Sequence, residues 1–89
     1  VSDQASLLNM VVMPNPATTY AQVQFVAPES GNAQLRITDV SGRVVYMSQQ
    51  TCVAGTNSVN VDLSEIASGL YMVSLELNGE QQLTRLIVE

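Results

Sequence analysis

Residues 71–88 read YMVSLELNGEQQLTRLIV, and this stretch decides the fold. Tyr71, Val73, Leu75 and Leu77 fall on one side of an extended chain, with Ser74 and Glu76 on the other. That is the two-residue period of a half-buried β-strand. Asn78-Gly79 follows at once. Both residues tolerate positive φ, so the pair predicts a type I′ turn, whose twist matches that of the strands it joins. The chain returns from Gln81 to Val88, with Leu83, Leu86, Ile87 and Val88 as the apolar content of the second arm. The stretch is a β-hairpin.

Outward from it the same period recurs. Val59, Val61 and Leu63 alternate with Asn60 and Asp62, and Ser64 to Ser68 make a one-turn connection closed by Gly69. Arg43 to Gln49 reads as a strand with Val44, Val45 and Tyr46 as its apolar part, while 51–57 reads as a loop or short edge strand. Ala33, Leu35 and Ile37 alternate with Gln34, Arg36 and Thr38. Between those two strands, Asp39-Val40-Ser41-Gly42 predicts a turn: Asp bonds the following backbone, and Gly supplies positive φ. Ala21, Val23, Phe25 and Ala27 line one face of a further strand over 20–27, ended by the turn residues 28–32. Leu7 to Met13 is an apolar strand candidate stopped by Pro14-Asn15-Pro16, two prolines that forbid helix. Residues 1–6 are small and polar, a linker or arm ahead of a domain spanning 7–89. No helical period is sustained long enough to compete. Seven such strands, half-apolar each, are best buried as two sheets packed face to face, an all-β sandwich.

At 89 residues the chain suits one domain. Area scaling gives a folded surface of roughly 5,000 Å² against roughly 14,000 Å² unfolded, enough for one modest core. Apolar residues make up 46% and charged residues 12%, a balance that excludes disorder. Three Arg, no Lys and eight carboxylates leave a net charge of -5, with no footprint for a phosphate backbone, so nucleic acid is excluded. There is no His and no Lys, which removes the commonest general base and every Schiff base. One Cys allows neither an internal disulfide nor a thiolate metal cage. No apolar run reaches the roughly 20 residues of a membrane helix. The chain opens without Met or a signal peptide, as a piece of a larger protein would. No enzyme and no cofactor are expected.

The remaining side chains with chemistry have plain roles. Asp39, Asp62 and Glu65 lack the spacing that brings 6–8 oxygens onto calcium, and read as solvated turn carboxylates. Cys52 has no neighbouring cation or base and reads as a small buried hydrophobe. Met10, Met13, Met47 and Met72 sit within or beside apolar strands and are expected to fill core. Two readings fit Tyr71, which follows Gly69 and Leu70 at the start of the penultimate strand. It is either a tyrosine corner, its hydroxyl bonded to upstream backbone, or an ordinary strand aromatic. Phe25 and Tyr71 fall on core faces, leaving Tyr20 and Tyr46 as a thin basis for a carbohydrate platform.

The order of motifs resembles the C-terminal sorting domain of proteins exported by the type IX (Por) secretion system of Bacteroidetes. The matching residues are Pro14-Asn15-Pro16-Ala17, then Ile37-Thr38-Asp39-Val40-Ser41-Gly42-Arg43-Val44-Val45, then Gly55-Thr56-Asn57 with Val59 and Val61-Asp62-Leu63. They continue with Ser68-Gly69-Leu70-Tyr71-Met72-Val73 and close on Thr84-Arg85-Leu86-Ile87-Val88 before Glu89. Where family members often carry Lys near the C-terminus, this chain has Arg85 and ends in Glu89. The resemblance implies a seven-stranded, immunoglobulin-like antiparallel β-sandwich that serves as an address at the end of a larger cargo. It implies recognition by an outer-membrane translocon and removal by a sortase-like transpeptidase, with passage through the periplasm to the cell surface or beyond. The motif residues to watch are Pro14, Asn15, Pro16, Asp39, Gly42, Gly69, Tyr71, Arg85, Leu86, Ile87, Val88 and Glu89. Unprotected sheet edges leave a strand-exchanged homodimer open. The rival reading is an immunoglobulin-like spacer or weak carbohydrate-binding module beside a secreted enzyme.

Overall fold

Asn78 and Gly79 take φ values of 51° and 84°, the two left-handed residues that a type I′ hairpin requires. They join strand β6 (Gly69–Leu77) to β7 (Glu80–Val88), paired without interruption from Leu77↔Glu80 to Gly69↔Val88. The computed structural model describes residues 9–89, so the linker read over 1–6 and the start of the first strand candidate lie outside the described residues. The other strands are β1 (Val11–Met13), β2 (Tyr20–Ala27), β3 (Gly31–Asp39), β4 (Val44–Cys52) and β5 (Gly55–Asp62). They form two antiparallel sheets, one of three strands in the order β1-β2-β5 and one of four in the order β4-β3-β6-β7. No helix occurs among the described residues. The fold is an all-β sandwich.

Alternation decides what is buried between the sheets. Ala21, Val23, Phe25 and Val61 point inward from the smaller sheet, joined by Leu63 just after β5; Leu35, Ile37, Val73, Leu75, Leu86 and Val88 meet them from the larger. Each large aliphatic or aromatic side chain fully buried in this way contributes about 1.5–3 kcal/mol. Across the sandwich β1 approaches β7, so of four strands facing three it is β4 that lacks an opposite number. Its inward-facing Tyr46, Ser48 and Gln50 are accordingly only half-buried.

Several expectations are corrected. Of the strand candidate over 7–13, Asn9 and Met10 are not in the strand, which begins at Val11, and Asn9 is in a left-handed conformation. The turn after β2 is shorter than 28–32, because Gly31 and Asn32 already pair with Cys52 and Thr51. A Cβ on Gly31 would lie 2.9 Å from Asn78 Oδ1, so the hairpin turn presses on this strand end. Of the two readings of 51–57, the structure takes edge strand rather than loop, with only 53–54 between two outermost strands. Thr51 and Cys52 finish β4, Gly55 to Asn57 begin β5, and Asn57 braces the crossover, donating to the carbonyls of Val53 (2.8 Å) and Gly55 (3.1 Å). Val44 is exposed and Val45 and Tyr46 half-buried, as suits an outermost strand. Of the four methionines only Met10 is in the core; Met13, Met47 and Met72 occupy outward positions of the strand period. On β7 the apolar residues divide by the same rule, Leu86 at 0% exposure and Val88 inward, Leu83 at 56% and Ile87 outward.

Candidate recognition surface

The Pro14-Asn15-Pro16-Ala17 segment runs between β1 and β2 with both of its X-Pro bonds cis. It lies along the outer side of β7. The Asn15 side-chain amide donates to the Arg85 carbonyl (2.9 Å) and its Oδ1 accepts the Ile87 N–H (3.0 Å). One side chain thus bonds the strand as the backbone of a neighbouring strand would. Ala17 continues the match: its N–H donates to the Ile87 carbonyl (2.8 Å), and its carbonyl accepts the Glu89 N–H (2.7 Å). Ala17 and Val88 form a parallel bridge, and Ala17 is fully buried. The end of β7 is clamped.

The clamp covers only part of the edge. In an antiparallel ladder, residues of one parity turn both N–H and C=O away from the partner. Arg85 and Ile87 have that parity on β7, and so do Gln81 and Leu83, whose backbone faces outward with no clamp beside it among the described residues. Met10 is tied to the same strand, its N–H donating to Gln82 Oε1 (3.1 Å).

The other motif residues gather at the same end of the sandwich. Asp39 pairs with Tyr71 across β3–β6, and Tyr71 with Leu86 across β6–β7, one row over the sheet. The Tyr71 hydroxyl donates to the Ala67 carbonyl at 2.6 Å, so of the two readings the structure takes the tyrosine corner. Gly69, opposite Val88, has a φ of 157°, the extended edge of the positive range, and a Cβ there would touch the Tyr71 ring at 3.6 Å. Asp39 Oδ1 accepts from the Ser41 hydroxyl (2.7 Å) and from the N–H groups of Ser41 and Arg43 (3.0 Å each), and Oδ2 takes Arg43 Nε at 3.2 Å. The Ser41 hydroxyl first, then the Arg43 N–H, hold this carboxyl below its ordinary value. Gly42 closes the turn at φ 91°.

Chemistry elsewhere is sparse. Asp62 accepts the Ser64 N–H at 2.9 Å, a bond that lowers its carboxyl below the ordinary value. Among the described residues, no three His, Cys, Asp or Glu side chains converge as metal ligands would. Cys52 is buried, its thiol toward the Gly31 carbonyl at 3.3 Å. Tyr20 lines a shallow cleft with Met13, Pro14 and Gln22, and Tyr46 another with Asp62 and Glu65. The two aromatics therefore form no shared platform. Ala17 is the clamp residue that the sequence offers only as the last member of the Pro14-Asn15-Pro16-Ala17 motif, without marking it as a site residue.

A model of the secretion system C-terminal sorting domain family matches residues 11–89. The chain belongs to that family. The sorting domain is therefore a type IX secretion signal. Its fold is similar to part of the crystal structure of dimeric latent PorU from Porphyromonas gingivalis, with a TM-score of 0.76 and 22% identity. The likeness covers 89% of this chain and 9% of that one, so it concerns the sandwich alone. No curated protein matches the sorting domain. Membership implies dealings with the secretion and processing machinery and transit toward the outer membrane, the cell surface or the medium.

Proposed function

We propose that the domain is a passive, non-catalytic address whose readable part is the clamped end of β7 with its supporting corner. The observation that carries this is the pair of bonds from Asn15 to Arg85 and Ile87. They hold the terminal strand in one geometry while leaving the Arg85, Ile87 and Glu89 side chains exposed. A cargo on the N-terminal side would be carried through the periplasm, and the translocon would take hold of this end. A sortase-like transpeptidase would then part cargo from signal ahead of the sandwich. The unclamped backbone of Gln81 and Leu83 offers a translocon component an edge for strand addition. It is also where a second copy would exchange strands.

The test is a periplasm-directed reporter fused ahead of residues 1–89, in a cell with the type IX machinery. The fusion is expected at the surface or in the medium, and retained in the periplasm of a translocon-deficient strain. A folded, stable wild-type fusion that stays in the periplasm of the competent cell refutes the address and leaves the spacer reading.

A further inference from the structure

Pairing registers define rows of side chains across the outer face of the four-stranded sheet. At the end nearest the clamp, Leu70 lies opposite Ile87. The next row runs Thr38, Met72, Arg85, and the one after it Met47, Arg36, Ser74, Leu83. Leu70, Ile87, Met72 and Leu83 are all exposed and adjoin one another over β6 and β7, an apolar patch beyond which exposed Met47 stands on the far side of Arg36. A contiguous exposed apolar field on a small domain marks a contact surface.

Charge on this field runs against the rest of the molecule. The chain carries a net charge of -5, yet these rows hold two of its three arginines and no carboxylate. The field is bounded by carboxylates at both ends, Glu76 in the row beyond Ser74 and Leu83 and Glu89 beyond Ile87. The third arginine, Arg43, is engaged by Asp39, whereas among the described residues neither Arg36 nor Arg85 is in an ion pair. Arginine and methionine are both enriched at protein interfaces relative to the rest of the surface.

We infer that this face is a docking surface for a partner protein that presents carboxylates over an apolar ground. The inference rests on the sorting reading and extends it from the end of β7 to a whole sheet face. Arg36 and Arg85 stand two strands and one row apart, which puts their Cα atoms roughly 12 Å from one another. The partner's carboxylates are to be sought at a matching separation. Two cations on a domain of this net charge suit a protein better than an anionic bilayer, whose field would repel the remaining acidic surface. The same strand carries both the clamped end and Leu83, Arg85 and Ile87 of this field, so a partner gripping the end meets the face as well.

The export reporter tests it with Arg36→Glu/Arg85→Glu, its neutral counterpart Arg36→Gln/Arg85→Gln, and Met47→Ser/Leu83→Ser. Ser58→Glu, on the outer face of the other sheet, is the control. Urea melts select variants that stay folded. The charge reversal is expected to lower surface reporter about tenfold or more, the Gln pair less, and Ser58→Glu not at all. If the folded charge-reversed and serine variants are exported like wild type, the docking face is wrong while the address stands. If the wild-type fusion is itself retained, the address fails and this face with it. Flotation with vesicles of equal parts phosphatidylcholine and phosphatidylglycerol is expected to show no binding. Binding there that Arg36→Glu/Arg85→Glu abolishes overturns the protein partner in favour of lipid.

Discussion

The two outermost strands of the four-stranded sheet, β4 and β7, are secured in opposite ways. The start of β4 is held by Asp39 through bonds to residues two and four positions along the chain. The end of β7 is held by Asn15, whose partners lie 70 and 72 residues away. At the clamped end of β7 the inward-facing Leu86 and Val88 are buried, whereas along the middle of β4 Ser48 and Gln50 are half-buried and bond one another at 2.7 Å. β4 is nine residues without a charge or a proline, while β7 carries Glu80 and Arg85 besides its clamp. A local turn closes at little entropic cost and depends on few other parts of the chain. A clamp between residue 15 and residues 85 and 87 closes a long stretch of chain and depends on β7 being held in place by distant strands.

The contrast breaks most visibly at the inward positions. Leu86→Ala is expected to cost about 2–5 kcal/mol, the range for a truncated, fully buried leucine. Ser48→Ala on β4, which removes the half-buried acceptor of the Gln50 amide, is expected to cost about 0.5–1.5 kcal/mol. Urea denaturation of both variants decides it. Comparable losses would mean that β4 is as much a part of the core as β7.

A smaller and more specific effect belongs to the clamp. Asn15→Ala removes two hydrogen bonds from an exposed edge where water can replace them, and should cost about 1–2 kcal/mol. Hydrogen exchange gives the sharper readout. The Ile87 amide should lose protection in Asn15→Ala while the Arg43 amide, held by Asp39, keeps its own. Unchanged protection at Ile87 would show that the bridge through Ala17 and Val88 secures the strand alone.

This division also explains what could be read before the structure. The Asp39–Gly42 turn, the Asn78-Gly79 hairpin and the core faces of β2, β3 and β6 rest on neighbours in sequence, and they stand in the structure as their residues dictate. The missed features are the non-local ones. Nothing near Asn15 names Arg85 or Ile87 as its partners, and a proline-flanked Asn reads as a turn whether or not it clamps anything. Met47, Met72 and Leu83 are apolar enough for a core, but position on the outward parity overrides composition. The half-burial of Tyr46 and the continuation of β4 to Cys52 depend on four strands facing three, a number that no local pattern encodes. The family motifs fall together at one end of the molecule, since Asp39, Tyr71 and Leu86 share one row, but they do not name the bonds that join it.

The smallest effect expected is an acid-sensitive one, confined to the locally held strand. Asp39 has its carboxyl lowered by the Ser41 hydroxyl and the Arg43 N–H, so the folded chain binds its proton less readily than the unfolded chain, whose value is about 3.9. The stabilisation is thus fully present above that value and is lost as pH falls through the lower, folded one. The wild-type urea midpoint should therefore drop more between about pH 5 and pH 2 than that of Asp39→Asn, which has no proton to take up there. Asp62 is lowered in the same sense and adds a slope common to both proteins, which cancels in the comparison. Asn15 does not titrate. In acid that leaves the domain folded, the protection of the Arg43 amide should fall while that of Ile87 holds. Parallel loss at both amides would mean that the two anchors are coupled through the Asp39–Tyr71–Leu86 row rather than independent.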